Sequence, residues 1–223
     1  MANSNLNGVL SFRDATRQQA KASILIEGLS GRGKSGLALM LAYALADKDW
    51  KKVYAIDTEN RSLDLFEGLT MSDGTKCTPF KKVDLLPSHG YAPSNYQMCK
   101  ENAINAGGAV MINDSITHMW QQEGGVLELV TQAQAKDAKR YNNYTAWGAP
   151  EVKAEKKAIY SVVRDSRIHV ISTVRVKEKF DMVTENGKTA LQSLGEQEQQ
   201  MPDLKYEPDL VLHMLHPGAM NGT

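Results

Sequence analysis

"ILIEGLSGRGKSGLALML", residues 24–41, is an apolar run, a glycine-rich turn closed by a lysine and a serine, and a second apolar run. The first run belongs to "SILIE", continuous and β-branched, which predicts a strand buried on both faces, as in a parallel sheet. The second, Ser35 to Ala46, carries Leu37, Leu39, Met40, Leu41, Tyr43 and Leu45 with no glycine beyond Gly36, which predicts a mostly buried helix. Between them Gly28, Gly33, Lys34 and Ser35 satisfy G-x-x-x-x-G-K-[ST], in the strand-to-helix setting that its chemistry needs. Glycines let the backbone curl so that its N–H groups face phosphate, and the helix N-terminus adds its positive end. The turn through Gly28, Ser30, Gly31, Arg32, Gly33, Lys34, Ser35 and Gly36 is therefore expected to hold the β- and γ-phosphates of a nucleotide. Lys34 supplies a point charge and the Ser35 hydroxyl reaches Mg2+.

Outward from the turn, strand and helix signals alternate. "KKVYAID" and "FKKVDLL" read as strands, "SNYQMCKENAINAGG" as a helix closed by glycines, and "AVMIND" as another buried strand. Gln121 to Arg140 is polar and allows two readings, a helix with Val126, Leu127, Val130 and Ala133 on one stripe or a mobile segment. Pro150 opens a firmer helix, "PEVKAEKKAIYSVVRDS", followed by the strand "IHVISTVRV", a hairpin turning at "ENGK" and a last strand, "PDLVLHML". This alternation predicts a three-layer α/β/α fold with a mostly parallel central sheet. The expected division is a polar arm over 1–20, one domain over 21–216 and a tail over 217–223.

At 223 residues and 42% hydrophobic the chain supports one large core. Lys plus Arg and Asp plus Glu both number 26, so no global field draws it to nucleic acid or a membrane, and any such contact needs a local patch. Cys77 and Cys99 fit neither a disulfide framework nor a metal site, and the five histidines lack ligand spacing. No segment reads as a signal peptide or a membrane span, so a cytoplasmic protein is expected.

A nucleotide site of this type needs an acid at the end of another strand to position Mg2+, and "AVMINDSITHMW" supplies Asp114. The next position, where many such sites carry a water-orienting glutamate, is Ser115. The activating acid must come from elsewhere, and "VYAIDTEN" places Asp57 and Glu59 two apart, on one face of a strand end. Glu59 is the candidate base.

With "GLSGRGKSG", "YAIDTENRSLDL", "VMINDSITHMW" and "HVISTVRVKEKF" together, the chain resembles the RecA-like P-loop ATPase core. It is most similar to phage-encoded RecA-like ATPases of the single-strand annealing and recombination group, over roughly residues 20 to 215. The resemblance implies a Mg2+-dependent ATPase acting on single-stranded DNA as a homo-oligomer, ring or filament, with a phage annealing or single-strand-binding protein as partner. It implies that Glu59 activates water with support from Asp57. The γ-phosphate sensor, glutamine in the recombinases, falls on Thr173, and the resemblance implies that Arg175 takes over sensing or acts at a subunit boundary. Trp147 is expected to pack in the core.

Lys and Arg outnumber acids from Lys153 to Lys188, and acids prevail from Thr189 to Asp209. Lys177, Lys179 and Lys188 with Phe180 give charge and a stacking ring near the hairpin, suited to a nucleic-acid backbone or to a neighbouring subunit's ATP. The cluster "AKDAKRYNNY" is a second candidate loop, and Arg164 and Arg167 are further candidates for action across a subunit boundary. Two other functions share the motif: a nucleotide-gated oligomeric assembly module with little turnover, and a small-molecule kinase.

Overall fold

Ser23–Gly28 forms strand β1, buried at every position. It has a parallel neighbour on each edge, β5 (His169–Glu185) and β7 (Leu210–Met214). In the computed structural model, residues 20–185 and 188–215 are described, with the side chains of all but 178–196. The expected arm (save Ala20), the tail and the centre of the "ENGK" turn lie outside them, as do the side chains of Lys179, Phe180 and Lys188.

Val53–Asp57 (β2), Lys81–Asp84 (β3) and Val110–Asp114 (β4) complete a parallel sheet of order β3-β2-β4-β5-β1-β7. The seventh strand, β6 (Lys188–Glu198), pairs antiparallel with the outer part of β5. Alternate side chains of each strand point to opposite faces. Ile24, Ile26, Val53, Ala55, Val110 and Ile112 meet α1 (Lys34–Leu45) through Ala38, Leu39 and Ala42. Leu25, Ile56, Met111 and Val170 share the other core with α2 (Pro93–Asn105), α3 (Thr117–Gln121), α4 (Val126–Lys136) and α5 (Pro150–Val163). This is the three-layer α/β arrangement that the alternation of elements predicts.

The register decides what reaches the carboxyl edge, where open parallel sheets bind ligands. Gly28 lies opposite Arg175, Asp57 opposite Asp114, and Asn113 opposite Ser172. The chain passes from β1 to β2 across β5 and β4, so this edge opens a crevice at the glycine turn. A Cβ on Gly28 would stand 2.9 Å from the Met214 Cβ, so glycine lets β7 close against β1 just where the turn begins.

Four details differ from, or complete, the sequence reading. The polar stretch after Gln121 contains a helix, α4, with Val126, Val130 and Ala133 buried on its stripe. Trp147 is half-buried rather than in the core, stacked on Trp120 at 5.8 Å with Lys156 over its ring. Beyond Arg175, β5 leaves the sheet and pairs with β6 alone, as a two-stranded ribbon from Val176 onward. Arg164 and Arg167 sit at the amino edge, away from the crevice: Arg164 pairs with Asp209, and Arg167 with Glu101 and Asp165.

Candidate functional site

The turn after β1 curls because Gly31 and Gly33 take positive φ, 76° and 83°, where a side chain is disfavoured. Gly33 is the N-cap of α1, and no side chain caps that terminus and no acid occupies the first turn. The first N–H groups of the helix are thus left open to a ligand, at the positive end of the helix dipole. Lys34 folds over the turn, its Nζ donating to the carbonyls of Gly28 and Leu29 at 2.9 Å each. Burial lowers its pKa, the Asp114 carboxylate opposes that, and the Arg175 charge adds to it.

Asp114 ends β4 and is buried. Its Oδ1 accepts a hydrogen bond from the Thr173 hydroxyl, while Oδ2 is buried with no partner among the described residues. An unpartnered carboxylate oxygen on a residue that lines the same cavity as Ser35 fits a hard cation that takes oxygen ligands. Thr173 is fully buried, donates to Asp114 and does not line the cavity: a short side chain at the level of Asp114 reaches its neighbour strand. Arg175, two residues nearer the edge, reaches the cavity instead.

Asp57 and Glu59 do not share the face of a strand, because β2 ends at Asp57 and the chain turns. Asp57 is buried, accepting from the backbone N–H of Glu59 at 2.8 Å and of Leu63 at 2.9 Å. Burial raises its pKa and the Leu63 hydrogen bond opposes the rise. Asp57 therefore shapes the turn that carries Glu59 out to the crevice. Glu59 Oε1 accepts from Ser115 Oγ at 3.0 Å and from Arg175 Nε at 2.7 Å, and Oε2 accepts from Arg175 Nη2.

Ser30, Gly31, Arg32, Gly33, Lys34, Ser35, Glu59, Asp114 and Arg175 line one cavity of about 350 Å3, with Ser62, Leu65 and Phe66. Gly28 and Gly36 stand behind it: Gly28 against Met214, and Gly36 under the Phe66 ring. An adjoining groove of about 380 Å3 shares Gly33 and Phe66 and is walled by Leu37, Met40 and Met214. Lys177 is exposed at the start of the ribbon, outside this cavity.

Several of these positions carry no signal in the sequence. Thr58 Oγ1 donates toward the carbonyls of Asp114 and Ser115, accepts from the Ser115 N–H at 2.8 Å, and lies 2.6 Å from His118 Nδ1. Tyr96 donates to the Ser115 carbonyl at 3.0 Å. Burial lowers the His118 pKa and raises that of Tyr96. This network fixes the backbone that presents Asp114 and Ser115, and only the nearness of His118 to Asp114 in the chain hints at it. No described helix is long and apolar enough to cross a membrane.

A family model described as an AAA domain matches residues 20–219. No curated protein matches the chain.

Proposed function

The chain belongs to the AAA-domain family, whose P-loop ATPases bind ATP and Mg2+, and from that premise we propose a Mg2+-dependent ATPase of the RecA-like type. It acts on single-stranded DNA as a homo-oligomer, in the cytoplasm, in phage recombination or annealing, alongside an annealing or single-strand-binding protein. The observation that carries the ATPase reading is the single cavity uniting the glycine turn, Lys34, Ser35, Asp114 and Glu59.

In that reading the backbone N–H groups of the turn bind the β- and γ-phosphates, and Lys34 exchanges the Gly28 and Leu29 carbonyls for phosphate oxygens. Ser35 and Asp114 Oδ2 would hold Mg2+, which when bound would neutralise charge on the phosphates. Glu59 takes a proton from the attacking water as its oxygen bonds to the γ-phosphorus and the bond to the β–γ bridging oxygen breaks. The apolar groove between Phe66, Met40 and Met214 takes the flat base.

The DNA reading is supported by surface chemistry and by the resemblance. Lys136, Lys139 and Arg140 with Tyr144, which is 88% exposed, lie at and beyond the end of α4, and Lys153 and Lys157 are exposed on α5. Charge interleaved with an open ring suits a single strand. Lys177 starts the ribbon, which continues directly from Arg175.

Steady-state hydrolysis without DNA, with duplex and with single strands tests both parts. Lys34→Ala is expected to lower turnover about hundredfold or more, as loss of a charge stabiliser does. Single strands are expected to raise turnover above the other two conditions. Equal rates in all three overturn the DNA reading.

A further inference from the structure

Glu59, the base of the proposed reaction, has both carboxylate oxygens engaged. A carboxylate that accepts a forked guanidinium and a hydroxyl is a poor base toward water, since those hydrogen bonds favour its charged form. The guanidinium that holds it lines the same cavity as Lys34 and Ser35, and lies close enough to Lys34 to disfavour the amine's charge. Its backbone is anchored, the Arg175 N–H donating to Thr117 Oγ1 at 3.0 Å, so any movement of the charge is a rotation of the side chain. Lys34 and Arg175 thus line one cavity, and with ATP in it only Arg175 would have to leave a carboxylate to meet the γ-phosphate.

We propose that Arg175 and Glu59 form a latch that the γ-phosphate opens. The phosphate and the Glu59 carboxylate compete for one guanidinium, and a single side-chain rotation gives the phosphate a cation and frees the base. ADP lacks the competing group and leaves the pair closed, so the base is bare only when there is a bond to cleave. The regulation rests on the reading of this cavity as an ATP site with Glu59 as base. It has an energetic signature: breaking the pair is a cost borne by triphosphate binding alone.

Equilibrium binding of a non-hydrolysable ATP analogue and of ADP reads that cost directly, in the wild type, Glu59→Gln, Arg175→Ala and the double variant. Glutamine keeps the shape of the side chain and removes the charge that detains Arg175. The analogue is expected to bind Glu59→Gln about tenfold more tightly than the wild type, the size of a half-exposed charged pair. ADP affinity is expected to stay within about twofold by the same reasoning. The gain is expected to vanish in the Arg175→Ala background. Thermal melting of each variant separates these effects from misfolding, and Arg175→Lys, which keeps charge without the fork, is expected to retain only part of the selectivity. An equal gain for ADP, or a gain that persists without Arg175, overturns the latch. Lost turnover in Glu59→Gln without the selective gain also overturns it while the ATPase reading stands; a wild-type chain that binds neither nucleotide overturns both.

Discussion

Asp114 shows how much of a site one side chain decides. Its two oxygens differ: Oδ1 is fixed by the buried Thr173 hydroxyl, and Oδ2, without a partner among the described residues, is the one the proposed reading assigns to Mg2+. Removing the hydroxyl without changing the shape, in Thr173→Val, leaves a buried carboxylate oxygen unpaired and the carboxylate free to rotate. The expected outcome is a loss of about 1–3 kcal/mol in stability by urea denaturation. A several-fold rise in the Mg2+ concentration giving half-maximal turnover is expected with it, whereas a merely structural role would leave that requirement unmoved. Lys34, Ser35 and Asp114 could be read from the sequence because a glycine turn and a strand end are local features. The partners of Thr173 and Arg175, Asp114 for one and Glu59 for the other, could not. Which of two nearby residues reaches a cavity depends on the register of β5 against β1 and β4, and register is set by the whole sheet.

At the scale of elements, α2 and α5 are joined by charge as well as by apolar packing. Lys100, 1% exposed on α2, donates to the Ser161 carbonyl and pairs at 3.0 Å with Asp165, just beyond α5. Arg167 closes the cluster on Asp165 and Glu101. Hydrogen bonds from Arg167, then from Lys100, hold the Asp165 carboxyl well below the usual carboxylate range. A depressed folded pKa gives stability that is present above the unfolded value, about 3.9, and is lost as pH falls through and below it. Asp165→Asn is expected to cost about 3 kcal/mol at neutral pH, because Lys100 is left charged and buried, and to flatten the acid side of the stability profile. Urea denaturation at a series of pH values down to about pH 3 checks both. An unchanged acid slope would remove Asp165 from the account. The strands and long helices were legible here, since buried parallel strands are continuous apolar runs. The α2–α5 clasp was not: Lys100 in "QMCKENAIN" looks like one more polar position on a helix, and its burial is decided by what α5 brings to it.

For the molecule as a whole, zero net charge removes long-range attraction to nucleic acid, so the proposed binding of a single strand rests on the few cations that would touch phosphate. Among the exposed described cations, two groups are compared: Lys139 and Arg140 beyond the end of α4, and Lys177 at the start of the ribbon. They differ in how they connect to the cavity. β5 runs unbroken from the sheet through Arg175 into the ribbon, whereas the α4 surface joins the sheet only through packed helices. In the proposed DNA reading, a strand held at Lys177 would therefore bear on the residue that holds Glu59, and one held at Lys139 and Arg140 would add affinity alone. Single-strand binding measured by fluorescence anisotropy across a salt series should show log K falling with log salt by about 0.7 per phosphate neutralised. The double variant Lys139→Glu/Arg140→Glu is expected to lower that slope by up to about 1.4, and Lys177→Glu by about 0.7. With DNA saturating, the Lys177 variant is expected to lose more of the DNA-stimulated turnover than the double variant, although it removes one cation rather than two. If stimulation instead falls in proportion to the number of cations removed, the ribbon does not transmit DNA binding to the Arg175–Glu59 pair.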